Sequence, residues 1–267
     1  MPFAHVGLVR IPEDVNDDQA ILLSDILPTA YFAAELAHPH TGSTVAVFGC
    51  GPVGLLTIMS LHTMGVGRIF AVDCIESRLE LARQLGAEVI DFDAEHPVET
   101  ILRLTGSIGV DRAIDCVGID AVHAHAGPAK LEADQRAEEF QREVQAVAPE
   151  AHPSQGNWEP GDAPSQAQEW AVDALAKAGT LSIAGVYPQT ARFFPIGKAM
   201  MKNLTLRMGN CHHRAYIPKL LQLVRGNVLE PTRILTQRAP VDDILEAYRS
   251  FDRREPSWVK VALRPAA

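Results

Sequence analysis

The chain has 267 residues, enough to bury a substantial core as one large domain or as two smaller ones. Its formal net charge is −9, with acids and bases interspersed, which argues against a nucleic-acid partner and against an anionic membrane surface. No apolar run is long enough to cross a bilayer. The four cysteines are far apart and form no Cys-x-x-Cys pair, which favours a reducing, cytoplasmic setting.

Residues 1–39 lack a regular alternation of strands and helices. Leu8 to Pro12 predicts one strand, and Asp17 to Leu23 predicts a short helix. Pro28 suits the first turn of a second helix that runs to about Ala37.

The most regular stretch follows, from Thr44 to Asp73. Thr44 to Phe48 is apolar and β-branched, as expected of a strand that is buried on both faces of a parallel sheet. A glycine-rich loop leads into a helix over Val53 to Met64, and a second buried strand covers Arg68 to Val72. Asp73 closes that strand, about twenty residues after the loop, and this G-x-G-x-x-G arrangement predicts dinucleotide binding.

Each residue of the loop has a mechanical role in that hypothesis. Gly49 permits the tight turn, Gly51 leaves room for a diphosphate, and Gly54 lets the helix pack against the strand. Pro52 suits the helix start, and with Val53 it places the free N–H groups of the first turn towards the phosphates. The alternative is an ordinary strand-to-helix turn with incidental glycines.

Asp73 sets the expected cofactor. Its carboxylate would accept hydrogen bonds from the adenosine ribose hydroxyls and would repel a 2′-phosphate. The sequence therefore predicts NAD rather than NADP.

The alternation of helices and strands continues beyond Asp73. It predicts an α/β fold of the Rossmann type, a doubly wound parallel sheet. An insertion at about 122–165 interrupts the pattern with a charged helix over Gly127 to Val147 and an irregular loop over Pro149 to Ser165. The expected helices are Glu76 to Leu85, Val98 to Leu104, Gln166 to Ala178, Tyr216 to Arg225 and Asp242 to Asp252. The expected strands are Glu88 to Phe92, Val110 to Val117, Thr180 to Tyr187, Leu204 to Met208, one near Ile234 to Gln237, and Trp258 to Leu263.

Three residue pairs follow successive strands of the predicted sheet. Ligands of open α/β sheets bind outside the carboxyl ends of the strands, so these pairs are expected to lie beside the nicotinamide. Turn chemistry alone is the alternative explanation. The pairs are Val117 with Gly118, Gly185 with Val186, and Gly209 with Asn210.

With these residues in place, the chain resembles the zinc-dependent, medium-chain alcohol dehydrogenases, and most of all their formaldehyde dehydrogenase-like branch. Three stretches carry the resemblance: LSDILPT at 23–29, VFGCGPVGLL at 47–56 and FDRREPSWVKVAL at 251–263. The first and third are more specific than the glycine loop.

The resemblance implies that much of the family's pattern is missing. Relatives begin with a catalytic lobe of GroES-like fold, whose Cys-Gly-Ser-Asp-x-His and Gly-His-Glu motifs supply zinc ligands, and neither motif occurs here. The expected division is a remnant of that lobe at 1–39, the NAD-binding Rossmann domain at 40–211, and a segment returning to the lobe at 212–267. We expect a fragment or a gene with a late start.

The resemblance also assigns roles to three polar residues. Asp25 matches a catalytic zinc ligand, Thr29 matches a residue that lies against the nicotinamide, and Arg78 matches one that covers the adenine. From the residues alone, a helix cap is the favoured interpretation of Asp25, while a first-turn helix residue is the alternative for Thr29 and a solvated arginine is the alternative for Arg78.

Clustered histidines and cysteines raise a metal hypothesis, but the spacings of His123, His125, Cys211, His212 and His213 fit no compact zinc motif. All four cysteines lie at or just beyond a predicted strand end. They could surround the crevice as oxidisable thiols or simply pack there as small residues.

The expected function is NAD-dependent oxidation of a small alcohol or aldehyde, with hydride transfer to NAD and zinc as in the intact relatives. One matching ligand cannot hold zinc, so weak activity or none is expected of this chain. The alternative is a catalytically dead NAD-binding or oligomerisation module. A homo-oligomer, a dimer or a tetramer, is expected in either case.

Overall fold

The computed structural model describes residues 7–149 and 160–265. Its centre is a parallel sheet with the strand order β3-β2-β1-β4-β5-β6. The chain first moves outward from β1 to β3 and then returns to the other side of β1, which is the doubly wound order of the Rossmann fold. The predicted fold class is therefore confirmed. The strands are β1 (Thr44–Phe48), β2 (Arg68–Asp73), β3 (Glu88–Asp91), β4 (Val110–Asp115), β5 (Leu175–Ile183) and β6 (Thr205–Met208).

Helices cover both faces of this sheet, and most lie within a few residues of their predicted bounds. They are α1 (Asp17–Leu23), α2 (Ile26–Leu36), α3 (Pro52–Thr63), α4 (Glu76–Gln84), α5 (Pro97–Leu104), α6 (Gly127–Gln135), α7 (Ala137–Val147), α8 (Gln166–Ala174), α9 (Ile196–Met201), α10 (His213–Arg225) and α11 (Ile244–Asp252). None of the helices in the described residues is long and apolar enough to cross a membrane.

The sheet separates two apolar cores. Val45 and Val47 of β1 pack into one core, whereas Ala46 and Phe48 pack into the other. Successive side chains of a strand point to opposite faces, so a strand buried on both sides needs the continuous apolar run seen in this sequence. Helix α2 joins the first core together with α3, because Leu27 and several of its alanines are fully buried there.

The predicted strand at Leu8 to Pro12 is wrong: within the described residues, that segment is an irregular approach to α1. The N–H of Val15 donates to the Pro12 carbonyl at 3.1 Å, which closes a turn there. Asn16 then caps α1 in a capping box with Gln19.

The predicted helix from Gln166 to Ala178 ends early, at Ala174, and β5 begins at Leu175 rather than at Thr180. Lys202 supplies the reason. Its Nζ donates to three backbone carbonyls at the helix end, those of Val172, Asp173 and Leu175, at 2.7–2.9 Å. A cation that binds these unsatisfied carbonyls stabilises the early helix end.

The insertion contains two helices where one was predicted. The break falls at Arg136, whose guanidinium forms an ion pair with Glu169 of α8 at 2.6 Å and with Glu139 at 2.9 Å. The insertion is thereby attached to the sheet. The irregular loop predicted for Pro149 to Ser165 falls mostly outside the described residues.

The last two strands are shifted from their predicted positions by about three residues. Strand β7 covers Gln237–Pro240 and β8 covers Val261–Arg264, and the two pair in parallel as a separate small sheet. The stretch between them, which includes α11, returns to the large sheet and reaches the carboxyl ends of its central strands.

A candidate dinucleotide-binding cleft

A cavity with a volume of about 810 Å³ lies at the carboxyl ends of β1, β2 and β4. This is the point at which the strand order reverses, where open α/β sheets bind their ligands. Four predicted cofactor residues of the βαβ unit line this cleft, together with Arg78 and Val117. The four are Gly49, Gly51, Pro52 and Asp73.

The glycine loop has the geometry that the sequence predicts. Gly49 has φ of +89°, a conformation that L side chains rarely adopt. A Cβ atom added at Gly54 would lie 1.8 Å from the Gly49 carbonyl oxygen, so only glycine lets α3 approach the loop this closely. Gly51 is different: it has an ordinary φ of −66° and precedes Pro52 as the helix cap. A Cβ added there would meet nothing closer than Arg78 Nη1 at 3.9 Å, so the loop leaves open space for a ligand.

Asp73 is almost fully buried, and backbone N–H groups hold its carboxylate in place. Oδ2 accepts a 2.7 Å hydrogen bond from Cys50 in the loop. Oδ1 accepts from Cys74 at 2.8 Å and from Ile75 at 3.0 Å. Carboxylate oxygens have further acceptor capacity, so Asp73 remains able to accept from ribose hydroxyls.

Two arginines face this part of the cleft. Arg78 begins α4 with a half-buried side chain, and burial lowers its pKa while Asp73 opposes that change. Arg254 reaches the cleft from the C-terminal segment and donates to the Asp120 carbonyl at 3.2 Å.

The strand-end pairs lie in three different settings: the cleft, a contact between two loops, and the exposed surface. Val117 lines the cleft. Gly118 and Gly185 instead let two loops touch, since a Cβ at Gly185 would lie 2.2 Å from the Gly118 nitrogen. Val186 shares this contact by accepting a hydrogen bond from Ile119 at 3.1 Å. Gly209 and Asn210 are exposed, and in the described structure they line neither of the two cavities.

A second cavity of about 390 Å³ lies beside α2, and Val53 at the start of α3 is part of its wall. Asp25 and Thr29 both line it, as does Lys260 from the tail. Asp25 occupies the capping position of α2 but makes no capping hydrogen bond. Its Oδ1 accepts from Thr29 at 3.0 Å and lies 2.9 Å from Nε2 of His213. The sequence had associated His213 only with a metal cluster.

The residues around Asp25 do not fit a zinc site. Within 7–149 and 160–265, no group of three or more His, Cys, Asp or Glu side chains could hold a metal ion. His123 pairs with Asp162 at 2.8 Å, while His213 pairs with Asp25, so these histidines lie in separate places. Structural and catalytic zinc sites need at least three protein ligands, and the described residues do not bring three together.

The cysteines do not resemble reactive thiols. Burial raises the pKa of Cys50 well above its usual value, and burial raises the pKa of Cys74 and of Cys116 to about 12. Burial likewise raises the pKa of Cys211 to about 11. Thiolates are the reactive form, so packing explains these residues better than oxidation does.

Sequence reasoning missed two walls of the cleft. One comes from α8, where Gln166 and Trp170 line the cavity, and the other from the C-terminal segment, with Phe251, Asp252 and Arg254. The second had a signal, since FDRREPSWVKVAL was among the most specific stretches of the sequence. Nothing in the local pattern indicated that it would reach the strand ends.

Comparisons with known proteins agree with this architecture. A family model described as zinc-binding dehydrogenase matches residues 52–126. A zinc-type alcohol dehydrogenase-like protein of Schizosaccharomyces pombe is 30% identical over 266 residues, which are 98% of this chain and 56% of that protein. The alcohol dehydrogenase TADH from Thermus sp. ATN1 superimposes with a TM-score of 0.76 at 29% identity, covering 99% of this chain and 64% of that one.

The chain is similar over nearly its whole length to zinc-type alcohol dehydrogenase-like proteins. These matches do not distinguish the formaldehyde dehydrogenase-like branch from other zinc-type alcohol dehydrogenases. A shorter similarity joins it to the NADP-dependent isopropanol dehydrogenase of Entamoeba histolytica, with 36% identity over 129 residues, 48% of this chain and 35% of that protein. The chain spans 56% of the length of the Schizosaccharomyces pombe protein and 64% of the length of an uncharacterized zinc-type alcohol dehydrogenase-like protein of Bacillus subtilis that is 27% identical to it.

Proposed function

We propose that this chain binds NAD in the cleft at the carboxyl ends of β1, β2 and β4. The observation that carries the proposal is the open glycine loop at the start of α3, directly beside a buried carboxylate at the end of β2. The free N–H groups of the first turn of α3, with the positive end of the helix dipole, would bind the diphosphate. Asp73 would bind the adenosine ribose.

The choice of NAD over NADP rests on Asp73. A 2′-phosphate would approach a carboxylate whose position is fixed by three N–H donors and which therefore cannot turn away without losing them. The negative charges of the carboxylate and of a 2′-phosphate would repel each other strongly in this partly buried site. The Entamoeba relative is named for NADP, so the selectivity of this chain needs its own measurement.

The second cavity would take the nicotinamide end. Val53 lines the second cavity, whereas Gly51 and Pro52 just before it line the first. The start of α3 therefore lies between the two cavities. Thr29 would lie against the nicotinamide, and NAD would supply the chemistry by accepting a hydride. The pairs at 117–118, 185–186 and 209–210 remain proposed neighbours of the nicotinamide, but in the described structure Val117 alone of their six residues lines the first cavity and none lines the second.

We further propose that the 267 residues bind NAD without appreciable oxidation of alcohols or formaldehyde. Asp25 is the single residue matching a zinc ligand, and in the described structure no group of three His, Cys, Asp or Glu side chains forms around it. In a complete relative the substrate would be a small alcohol or aldehyde. The alternative is a catalytically dead NAD-binding module in the cytoplasm. It predicts the same binding of NAD and no substrate oxidation in any oligomeric state.

A thermal-shift titration tests the binding proposal. A ligand that binds only the native state raises the melting temperature as its concentration increases. NAD should raise it in a saturable manner, and free nicotinamide, which lacks the adenosine diphosphate, should not. No shift with NAD at millimolar concentration would count against the proposal.

We also propose that a second copy of this chain covers the β6 edge of the sheet. Strand β6 pairs with β5 on one side only, and Met200, Met201 and Met208 around it are exposed. An open strand beside exposed apolar side chains is a typical site of association. Light scattering should give a dimer or a tetramer, and Met208→Lys should shift it towards the monomer. A strictly monomeric chain would contradict this.

A further inference from the structure

The C-terminal segment crosses the mouth of the dinucleotide cleft. Residues 251–257, the C-terminal strap, begin in the last turn of α11, and Phe251, Asp252 and Arg254 of the strap line the cleft. Two hydrogen bonds fix it on opposite sides. Arg254 Nη2 donates to the Asp120 carbonyl after β4 at 3.2 Å, and the Ser257 N–H donates to Ser77 Oγ beside β2 at 3.2 Å. The strap therefore bridges the two strand ends between which an adenosine would lie.

Arg254 and Arg78 lie close enough to act on each other. The positive charge of Arg254 contributes to lowering the pKa of Arg78, after burial, which is the larger cause. Arg78 Nη1 lies 3.9 Å from the position of a Cβ at Gly51, so it overhangs the helix start where a diphosphate would approach. Within the described part of the chain, the Arg78 guanidinium makes no hydrogen bond or ion pair.

The carboxylate of Asp73 does not neutralise the two arginines. Asp73 already accepts three backbone hydrogen bonds, and it forms no ion pair with either guanidinium in the described structure. Aspartates elsewhere in the cleft prevent a general excess of positive charge, and Asp162, for example, pairs with His123. Recognition would therefore come from the fork-like donors of two arginines that line the same cleft rather than from net charge.

We propose that Arg254 of the C-terminal strap, together with Arg78, binds a phosphate of the adenine nucleotide. This inference rests on the proposed function, because it adds a residue to the same cleft. The phosphate is either the diphosphate shared by NAD and ADP-ribose or the 2′-phosphate that distinguishes NADP. If Arg254 contacts the diphosphate, the strap contributes to NAD binding. If Arg254 contacts the 2′-phosphate, it offsets the repulsion between that phosphate and Asp73.

The test compares Arg254→Gln with Arg253→Gln in the full chain. Arg253 is the adjacent residue, exposed and outside the cleft lining, so its variant removes the same charge from the same strap. Competition against bound NADH would give affinities for NAD, 5′-AMP, 2′-AMP and adenosine. Melting temperatures of all three proteins would show whether the strap still packs.

Loss of a charged, forked contact to phosphate should weaken binding about tenfold. If Arg254 binds the 5′-side phosphate, Arg254→Gln should weaken the binding of 5′-AMP and NAD. If it binds the 2′-side phosphate, the variant should weaken the binding of 2′-AMP. The affinity for adenosine should be unchanged in either case. Arg254→Lys should recover part of the loss. Equal weakening of adenosine, or an equal effect of Arg253→Gln, would overturn the inference while the proposed function stands. A wild-type chain that binds none of these ligands would overturn both.

Discussion

The backbone N–H of Cys50 donates a 2.7 Å hydrogen bond to Oδ2 of Asp73. The middle of the glycine loop is thereby attached to the carboxylate that closes β2, so the group expected to bind the ribose also shapes the loop expected to bind the diphosphate. One side chain thus fixes the local structure and would also take part in the proposed ligand recognition.

Replacement of Asp73 by alanine should therefore have two effects. Loss of three N–H bonds to a buried carboxylate should lower the free energy of unfolding by about 2 kcal/mol. Affinity for NAD should fall at least about tenfold, and the preference over NADP should largely disappear. Urea unfolding and calorimetry would measure the two effects separately. A variant with wild-type stability and wild-type selectivity would show that Asp73 has neither role.

Gly51 and Gly54 should respond in opposite ways to an added side chain. Gly51→Val places new atoms in open space with an ordinary backbone conformation, so the fold should survive while the diphosphate is blocked. Gly54→Ala places a methyl group 1.8 Å from the Gly49 carbonyl, which should lower the free energy of unfolding by about 3 kcal/mol.

Melting temperature and NAD affinity of the two variants check this contrast. Gly51→Val should melt like the wild type and bind no NAD. If a folded Gly51→Val chain bound NAD with unchanged affinity, the loop would not be part of the site.

Lys202 should prove to be a structural cation. Its three hydrogen bonds stop α8 and allow β5 to begin, so Lys202→Met should lower the free energy of unfolding by about 2 kcal/mol. Lys177→Met, at an exposed position of β5, is the matched control and should change it little. Equal stabilities in chemical denaturation would refute the explanation of the early helix end.

Oxidation of small alcohols and of formaldehyde should remain at background despite NAD binding. Without a metal to lower its pKa, an alcohol has almost no alkoxide at neutral pH from which to transfer hydride, and proximity to NAD does not replace that charge effect. The measurement is NADH absorbance with added zinc and a panel of substrates. Steady turnover that is lost in Asp25→Ala would contradict the prediction and imply ligands beyond those described.

The sheet and most helices could be predicted because their signals are local. The apolar run at 44–48 and the glycine loop at 49–54 each specify their own structure. The end of α8 could not be predicted, since it depends on Lys202, a residue nearly thirty positions later that folds back onto it.

The same distinction applies to the candidate site. Gly49, Gly51 and Asp73 were found because strand, loop and acid are adjacent in the chain. Arg254 was missed because only the tertiary fold brings the C-terminal segment to the ends of β2 and β4. His213 was singled out in the sequence as a candidate metal ligand. Its pairing with Asp25 was not predicted, because almost two hundred residues separate the two in the chain.

The most direct test of this account is a pair of calorimetric titrations of the unmodified chain, one with NAD and one with NADP at the same ionic strength. The account predicts saturable binding of one NAD per chain and binding of NADP at least about tenfold weaker, because the Asp73 carboxylate would face the 2′-phosphate of NADP. NADP binding as tightly as NAD, or no binding of either, would contradict it.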